Sequence, residues 1–364
     1  MLVALLALSA AAAPFADDVE SGSLVSIDGG PGAWDTLITF HPDVDITASP
    51  AAAHRGRFGM RIDDTHGDGG TGVEGWVAWQ APAWSQVFLR WWMRHGFTAT
   101  GTLETSYLGF RLPDGGFATA GTGMRIPDGE LQVGGLDRNK RDIITPADAG
   151  LTYGRWHLLE LAVTGLGSAD GGRLLWVDGA LALRNIGLDY RTATLQVVSL
   201  GENFARPTAT TRVLDYDDVR AGPEPHATWL SVTGPATATA GECFEVTVQL
   251  SDATGAAAPA PYPLDVSLAG ATPCETLRVE EGAASGTGTA AVDTPGSHAI
   301  IARHEDLLSA GGFTVEAAWG APRKLAVGCS CSASWAAPLA SLALLRAARR
   351  RKGPDSKILA SRRN

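Results

Sequence analysis

Arg90, Arg94, Tyr107 and Arg111 are the residues of this chain best suited to chemistry on a charged polymer. Arginine can pair with a carboxylate through a fork of donors, and tyrosine can move a proton or stack on a sugar ring. Joined by His157, they would form a set able to remove a proton beside a uronate carboxylate. Joined by Trp92 instead, they would form a surface that binds sugar without reacting. Hydrolysis needs other groups: a retaining glycosidase sets two carboxyls about 5 Å apart. Glu74, Glu104, Glu130 and Glu160 each stand alone in the sequence, so no acid–base constellation is legible. The expectation is therefore binding without catalysis, carried by Arg90, Trp92, Arg94, Tyr107 and Arg111. The alternative is a divergent secreted polysaccharide lyase or glycoside hydrolase. The bland reading has the same side chains coating a solvated sheet face, with Trp92 covered by a loop.

Metal ligands are sparse. Against the twelve-residue calcium loop begun at Asp64, the third position is His66 and the twelfth is Gly75, both unsuited to the ion. The 8 histidines are scattered and none shows a zinc-binding spacing. Asp217 and Asp218 are neighbours that repel unless one of them is hydrogen-bonded or metal-bound. The 4 cysteines fall in two settings. Cys243 and Cys274 lie in strand-rich sequence and are expected to pair near the surface after export. Cys329 and Cys331 lie beside the tail, with no second Cys or His pair to complete a zinc site.

The elements that must position these residues are strands. From Val87 to Arg94 the apolar set Val87, Leu89, Trp91 and Met93 alternates with Phe88, Arg90, Trp92 and Arg94. Period-two alternation predicts a strand with one face in the core and the other on something polar. Leu108, Phe110 and Leu112 alternate with Tyr107 and Arg111 in the same way. Asp114-Gly115, Asp128-Gly129 and Asp178-Gly179 predict hairpin turns, because glycine accepts positive φ. The pattern predicts an all-β first module over residues 14–222. Pro223-Glu224-Pro225 makes residues 223–226 a stiff linker. A second β-sandwich is predicted over 227–318, where Phe244, Val246, Val248 and Leu250 alternate.

A chain of 364 residues with 45% hydrophobic residues, Gly 44 and Pro 20 suits two such modules. The net charge of -10 is uneven: residues 321–364 hold ten Lys/Arg against Asp355 alone, giving +9, so the remainder carries −19. An acidic body excludes nucleic acid as a partner. Residues 1–13 form a short apolar run ending in alanines, the pattern of a signal peptide. In the 319–364 tail, the apolar run 335–345 followed by Arg346 and Arg349 to Lys352 predicts a C-terminal membrane helix with its basic end inside.

Three segments resemble known families. Residues 153–163, followed by Arg173-Leu174-Leu175-Trp176-Val177-Asp178-Gly179, resemble the paired strands of concanavalin A-like, laminin-G-type jelly rolls. Residues 15–22 and 214–219 resemble the first and last strands of such modules. The resemblance implies a two-sheet jelly roll over 14–222, and a fold that hosts lectins, glycosidases, lyases and adhesion modules alike. It also implies one structural calcium held by Asp18 or Glu20, the 56–59 turn, and Asp217 or Asp218. Gly328-Cys329-Ser330-Cys331, the apolar run and the arginines resemble the MYXO-CTERM signal read by myxosortase. That implies a sorting protease as partner, retention at the cell surface or outer envelope, and Cys329 or Cys331 as the lipidated residue; residues 353–364 extend past the usual arginine stop. Residues 227–318 resemble the immunoglobulin-like repeats of bacterial surface proteins.

Overall fold

The computed structural model describes residues 14–25, 33–39, 44–64, 75–96, 101–111, 117–126, 130–134, 145–191, 193–202, 205–207 and 212–320. The 1–13 leader, the 321–364 tail with Cys329 and Cys331, Glu74, and the turns at Asp114 and Asp128 lie outside them. Among the described residues there are strands and one short 3-10 turn, Pro50–Ala52, and no helix is long and apolar enough to cross a membrane.

The first module is a jelly-roll sandwich of two eight-stranded sheets. The first sheet runs, in spatial order, Ala180–Leu188, Gly171–Val177, His157–Thr164, Val87–His95, Arg212–Gly222, Gly59–Asp64 and Asp45–Ser49, with Phe15–Asp17 also paired to Arg212–Gly222. The second runs Thr145–Gly150, Glu130–Gly134, Phe117–Ile126, Gly101–Arg111, Thr194–Glu202, Gly75–Gln80 and Thr36–Thr39, with Ala205–Pro207 beside Gly101–Arg111. Leu89, Trp91 and Met93 point from the first sheet into the core, and Leu108, Val198 and Leu200 meet them from the second. Each such side chain, fully buried, contributes roughly 1.5–3 kcal/mol. The alternation in the sequence therefore sorts the core correctly. The Asp178-Gly179 hairpin also forms, with φ of 49° and 75° at the two positions.

The second module folds around its own core of Leu230, Val246, Val248, Leu250, Leu264, Val266, Ile300 and Val315. Its strand path is Thr272–Pro273, Ser285–Ala291, Phe244–Ser251, Trp229–Thr233, Leu308–Ala318, Gly296–Arg303, Leu264–Ala269 and Leu277–Val279. Trp229–Thr233 lies antiparallel to Phe244–Ser251 on one side and parallel to Leu308–Ala318 on the other. Cys243 and Cys274 form the expected disulfide with Cα atoms 6.3 Å apart, and both residues are exposed.

The 223–226 segment is not a free spacer. Gln86 Nε2 donates to Pro223 O at 2.8 Å, and His226 Nε2 donates to Phe88 O at 3.0 Å. Both bonds press the segment onto the first sheet of the jelly roll.

Candidate functional site

The outer face of the first sheet carries most of the residues singled out from the sequence, and strand register sorts them into rows. One row is Leu174, Ala162, Phe88 and Gly222. The next is Trp176, Glu160, Arg90 and Arg220. Beyond it Leu158, Trp92 and Asp217 stand side by side, then Arg94, Asp215, Arg61 and Thr47.

Arg90 and Trp92 point outward as the alternation requires, yet neither is open to a ligand. Arg90 is 0% exposed and Trp92 6%. The expectation that they line a binding face is corrected by what covers them. The second sandwich lies over the first two rows: Phe88, Ala162 and Trp176 pack together with Ala253, and Gly179 sits against the Trp229 indole. Trp92 is covered from within the jelly roll, where the His54 imidazole stacks on it at 3.9 Å with an 18° interplanar angle.

Buried charges converge at this seam. Asp306, from the second sandwich, lies with Oδ1 2.6 Å from Arg55 Nε and Oδ2 3.2 Å from Arg220 Nη2. The Tyr262 hydroxyl donates to the same carboxylate, and Arg90 Nη2 donates to the Asp306 carbonyl. Arg220 lies 4.7 Å and Arg55 5.5 Å from the Tyr262 ring centroid. Asp218 faces Arg55 from the jelly-roll side at 2.6 Å. Burial lowers Arg90 to about 10, with Arg220 adding repulsion. Burial raises Glu160 to about 8 against the attraction of Arg90. Asp218 is pushed up by burial, but the His54 ring 3.7 Å away and the hydrogen-bonded Arg55 guanidinium outweigh that and hold it below the usual carboxylate range. Asp306 is pushed up by burial and by the Asp218 charge, so of the two carboxylates it is the one that takes a proton first.

The two adjacent aspartates reach the same outer side through a bulge. Between Asp217 and Arg220 the register slips against Trp92 and Arg90, and Asp218 has φ of 50°. Val219 then returns to the core at 1% exposure. The turn after Pro50–Ala52 closes over this bulge. Asp217 Oδ2 accepts the His54 and Arg55 backbone N–H groups at 2.7 and 3.2 Å. Glu20 Oε1 accepts those of Arg57 and Phe58 at 2.7 and 3.1 Å, and leaves no room for a Cβ at Gly56. Burial and the charge of Asp218 raise Asp217 to about 8 despite those bonds.

The residues expected to hold calcium thus come together, Asp18 included: it is exposed, accepts from the Glu20 N–H and lines the same pocket as Arg55 and Asp218. Their surroundings do not fit the ion. Calcium takes six to eight oxygen ligands, whereas the turn offers N–H groups to Asp217 and Glu20, and the Arg55 guanidinium occupies Asp218. Among the described residues no group of three or more His, Cys, Asp or Glu is placed to hold a metal.

Among the described side chains, Arg94 is the one expected ligand-binding residue found part-exposed. Asp215 fixes it at 2.6 Å and fixes Arg61 at 2.8 Å, and its guanidinium lies 4.8 Å from the Trp156 centroid. His157 gives its Nδ1–H to Asp178 at 2.8 Å and accepts the Thr152 N–H on Nε2 at 3.0 Å, so both ring nitrogens are engaged. Tyr107 and Arg111 belong to the second sheet, apart from Arg90, Trp92 and Arg94. Their side chains, with those of Glu104 and Glu130, lie outside the described residues. Tyr107 is paired to Ser199 and Gly121, Ser199 to Ala78, and Ala78 to Thr36. Arg55, Arg220, Tyr262 and Asp306 were not legible as a set. The one signal for them is a strand whose outer positions mix Phe88 and Trp92 with Arg90, a composition that fits a covered face better than a wet one.

No family model matches the chain, and no curated protein matches it. Among solved structures, similarity extends to an endo-β-1,4-glucuronan lyase from the fungus Trichoderma reesei, at 14% identity over 53% of this chain and 92% of that one, with a TM-score of 0.44. A cellulose-induced protein aligns at 17% identity over 57% and 97%, with a TM-score of 0.41. The alginate lyase Aly36B aligns at 8% identity over 58% and 97%, with a TM-score of 0.43. None of these likenesses assigns a role to a residue of this chain.

Proposed function

We propose that the chain is an exported surface protein whose jelly roll binds a polysaccharide without cleaving it, across the outer face of the second sheet. The observation that carries this is the closure of the first sheet. Its three rows from Leu174 to Asp217 are taken up by the second sandwich and by the 54–58 turn. The next row, part-exposed at Arg94 and Arg61, is tied in ion pairs with Asp215, so the polymer is assigned to the second sheet. Along that sheet the register places Tyr107 in a row with Gly121, Ser199, Ala78 and Thr36. Ser199 and Ala78 in that row are buried, at 1% and 6% exposure, so what the row offers a sugar chain is its Tyr107 position rather than an open groove. Against catalysis, the lyase set drawn from the sequence is divided between two sheets, and His157 has no ring nitrogen to spare.

The test is a glycan array with the purified protein, read beside turnover on every hit. Binding that Tyr107→Ala weakens at least tenfold, with no product formed, supports the reading. Release of unsaturated uronate, seen as new ultraviolet absorbance, selects the lyase alternative. Retention at the cell surface through Cys329 or Cys331, after cutting by a myxosortase-type protease, belongs to the same proposal. It is checked by the mass of the mature protein, and an intact Asn364 terminus in the soluble fraction refutes it.

A further inference from the structure

We infer that the two sandwiches form one cooperative unit with the Asp306 carboxylate as its keystone, so that the second module is part of the jelly roll's fold rather than a spacer behind it. Three independent kinds of contact meet at the seam. The first is apolar: Phe88, Ala162 and Trp176 stand on the outer side of the first sheet and are buried together with Ala253 of the second sandwich. The second is steric: Gly179, at the tip of the Asp178-Gly179 hairpin, has no space for a Cβ because the Trp229 indole is seated on it. The third is electrostatic. Arg55, Arg90 and Arg220 come from three separate segments of the jelly roll, and each of them meets Asp306.

The electrostatic contact singles out Asp306. It is 1% exposed, and it is the only carboxylate that the second sandwich brings to these three guanidinium groups among the described residues. A buried charge deprived of its partner is destabilising, since it keeps its desolvation cost and loses the compensating attraction. Here the loss of one carboxylate would leave three cations facing one another with Asp218 as the nearest anion. The least costly response is for the seam to part and let water in. Because Asp306 also holds Arg55, and Arg55 lies in the turn that covers Trp92, the parting reaches back into the jelly roll. The second sandwich therefore sets the order of the 54–58 turn.

The test uses the whole chain. Calorimetry of the wild type is expected to show a single transition for both sandwiches. Asp306→Asn, which keeps the side chain's size and removes its charge, is expected to split it into two. Hydrogen exchange in peptides spanning 54–58 and 226–230 is expected to become at least tenfold faster in that variant. Asp265→Asn removes an exposed carboxylate of the same module, paired with Arg278, and is expected to change neither readout. If Asp306→Asn does not fold, Tyr262→Phe, which deletes one hydrogen bond to Asp306, is read in the same two ways. Two transitions in the wild type would overturn the inference. So would unchanged exchange at 54–58 in the variant that is read.

Discussion

Asp306 Oδ1 lies 2.6 Å from Arg55 Nε, across the boundary between two sandwiches whose main cores are separate. On its other side Arg55 meets Asp218, where the resemblance to calcium-holding jelly rolls placed an ion. A guanidinium thus supplies the positive charge at that position and ties it to the second module at the same time.

That arrangement makes the response to calcium a clear test. Neither millimolar calcium nor a chelator is expected to move the melting temperature of the wild-type protein by more than about a degree, since ligand-induced stabilisation requires binding to the folded state. A calcium-dependent rise of several degrees would show that the ion displaces the N–H groups of the 54–58 turn.

Gly179 tests the seam by shape rather than charge. Its φ is 75° and a Cβ would run into the Trp229 ring, whereas Gly154, with φ of 70°, has open space around it. Alanine at Gly154 is expected to cost about 1 kcal/mol of backbone strain. Alanine at Gly179 adds overpacking to the same strain, roughly 1–3 kcal/mol more. Denaturation midpoints of the two variants isolate the Trp229 contact by difference, and equal midpoints would mean that the indole yields freely.

The disulfide was legible because export and strand-rich spacing point to pairing without any knowledge of the fold. Its bridge closes a loop with sequence separation 31. Restriction of the unfolded chain over such a loop contributes about 3–4 kcal/mol. Replacing both Cys243 and Cys274 by serine is expected to remove that much from the second sandwich, measured by denaturant titration. A loss under about 1 kcal/mol would place the stabilisation elsewhere.

Alternation along Val87 to Arg94 identifies the core face, and the same strand shows where such reading ends. Period two states which side chains share a face, but not what lies over the second face. Arg90 and Trp92 were rightly turned away from the core, and a loop over Trp92 was one of the readings open; the cover over Arg90 was not legible, because it comes from residues far along the chain. Asp217 and Asp218 illustrate a second limit. Strict alternation would send one of them into the core, and only the bulge keeps both outside. Asp178-Gly179, by contrast, was legible because its constraint is local, residing in two adjacent φ angles.

The same buried carboxylates set how stability depends on pH. Asp217 is raised from 3.8 to about 8 by burial and by the charge of Asp218, and Glu160 from 4.5 to about 8 by burial. Each folded-state value lies above the unfolded one, so the folded protein binds more protons between them. The stabilisation from each group is complete below the unfolded value and is lost as pH rises through the folded one. His226 works in the opposite sense: burial lowers it from 6.5 to about 3, so its contribution is lost only on acidification below about 6.5. Between pH 6.5 and 8 the carboxylates act alone, and stability should fall with rising pH by up to about 1.4 kcal/mol per unit for each. Asp217→Asn keeps an oxygen for the His54 and Arg55 N–H groups and removes the titrating proton. It is expected to flatten the alkaline decline by about half while leaving the acid limb, which His226 governs, in place. Melting temperatures across this range decide the matter, and a wild type that gains stability from pH 6.5 to 8 would show that these carboxylates are ionised in the folded protein.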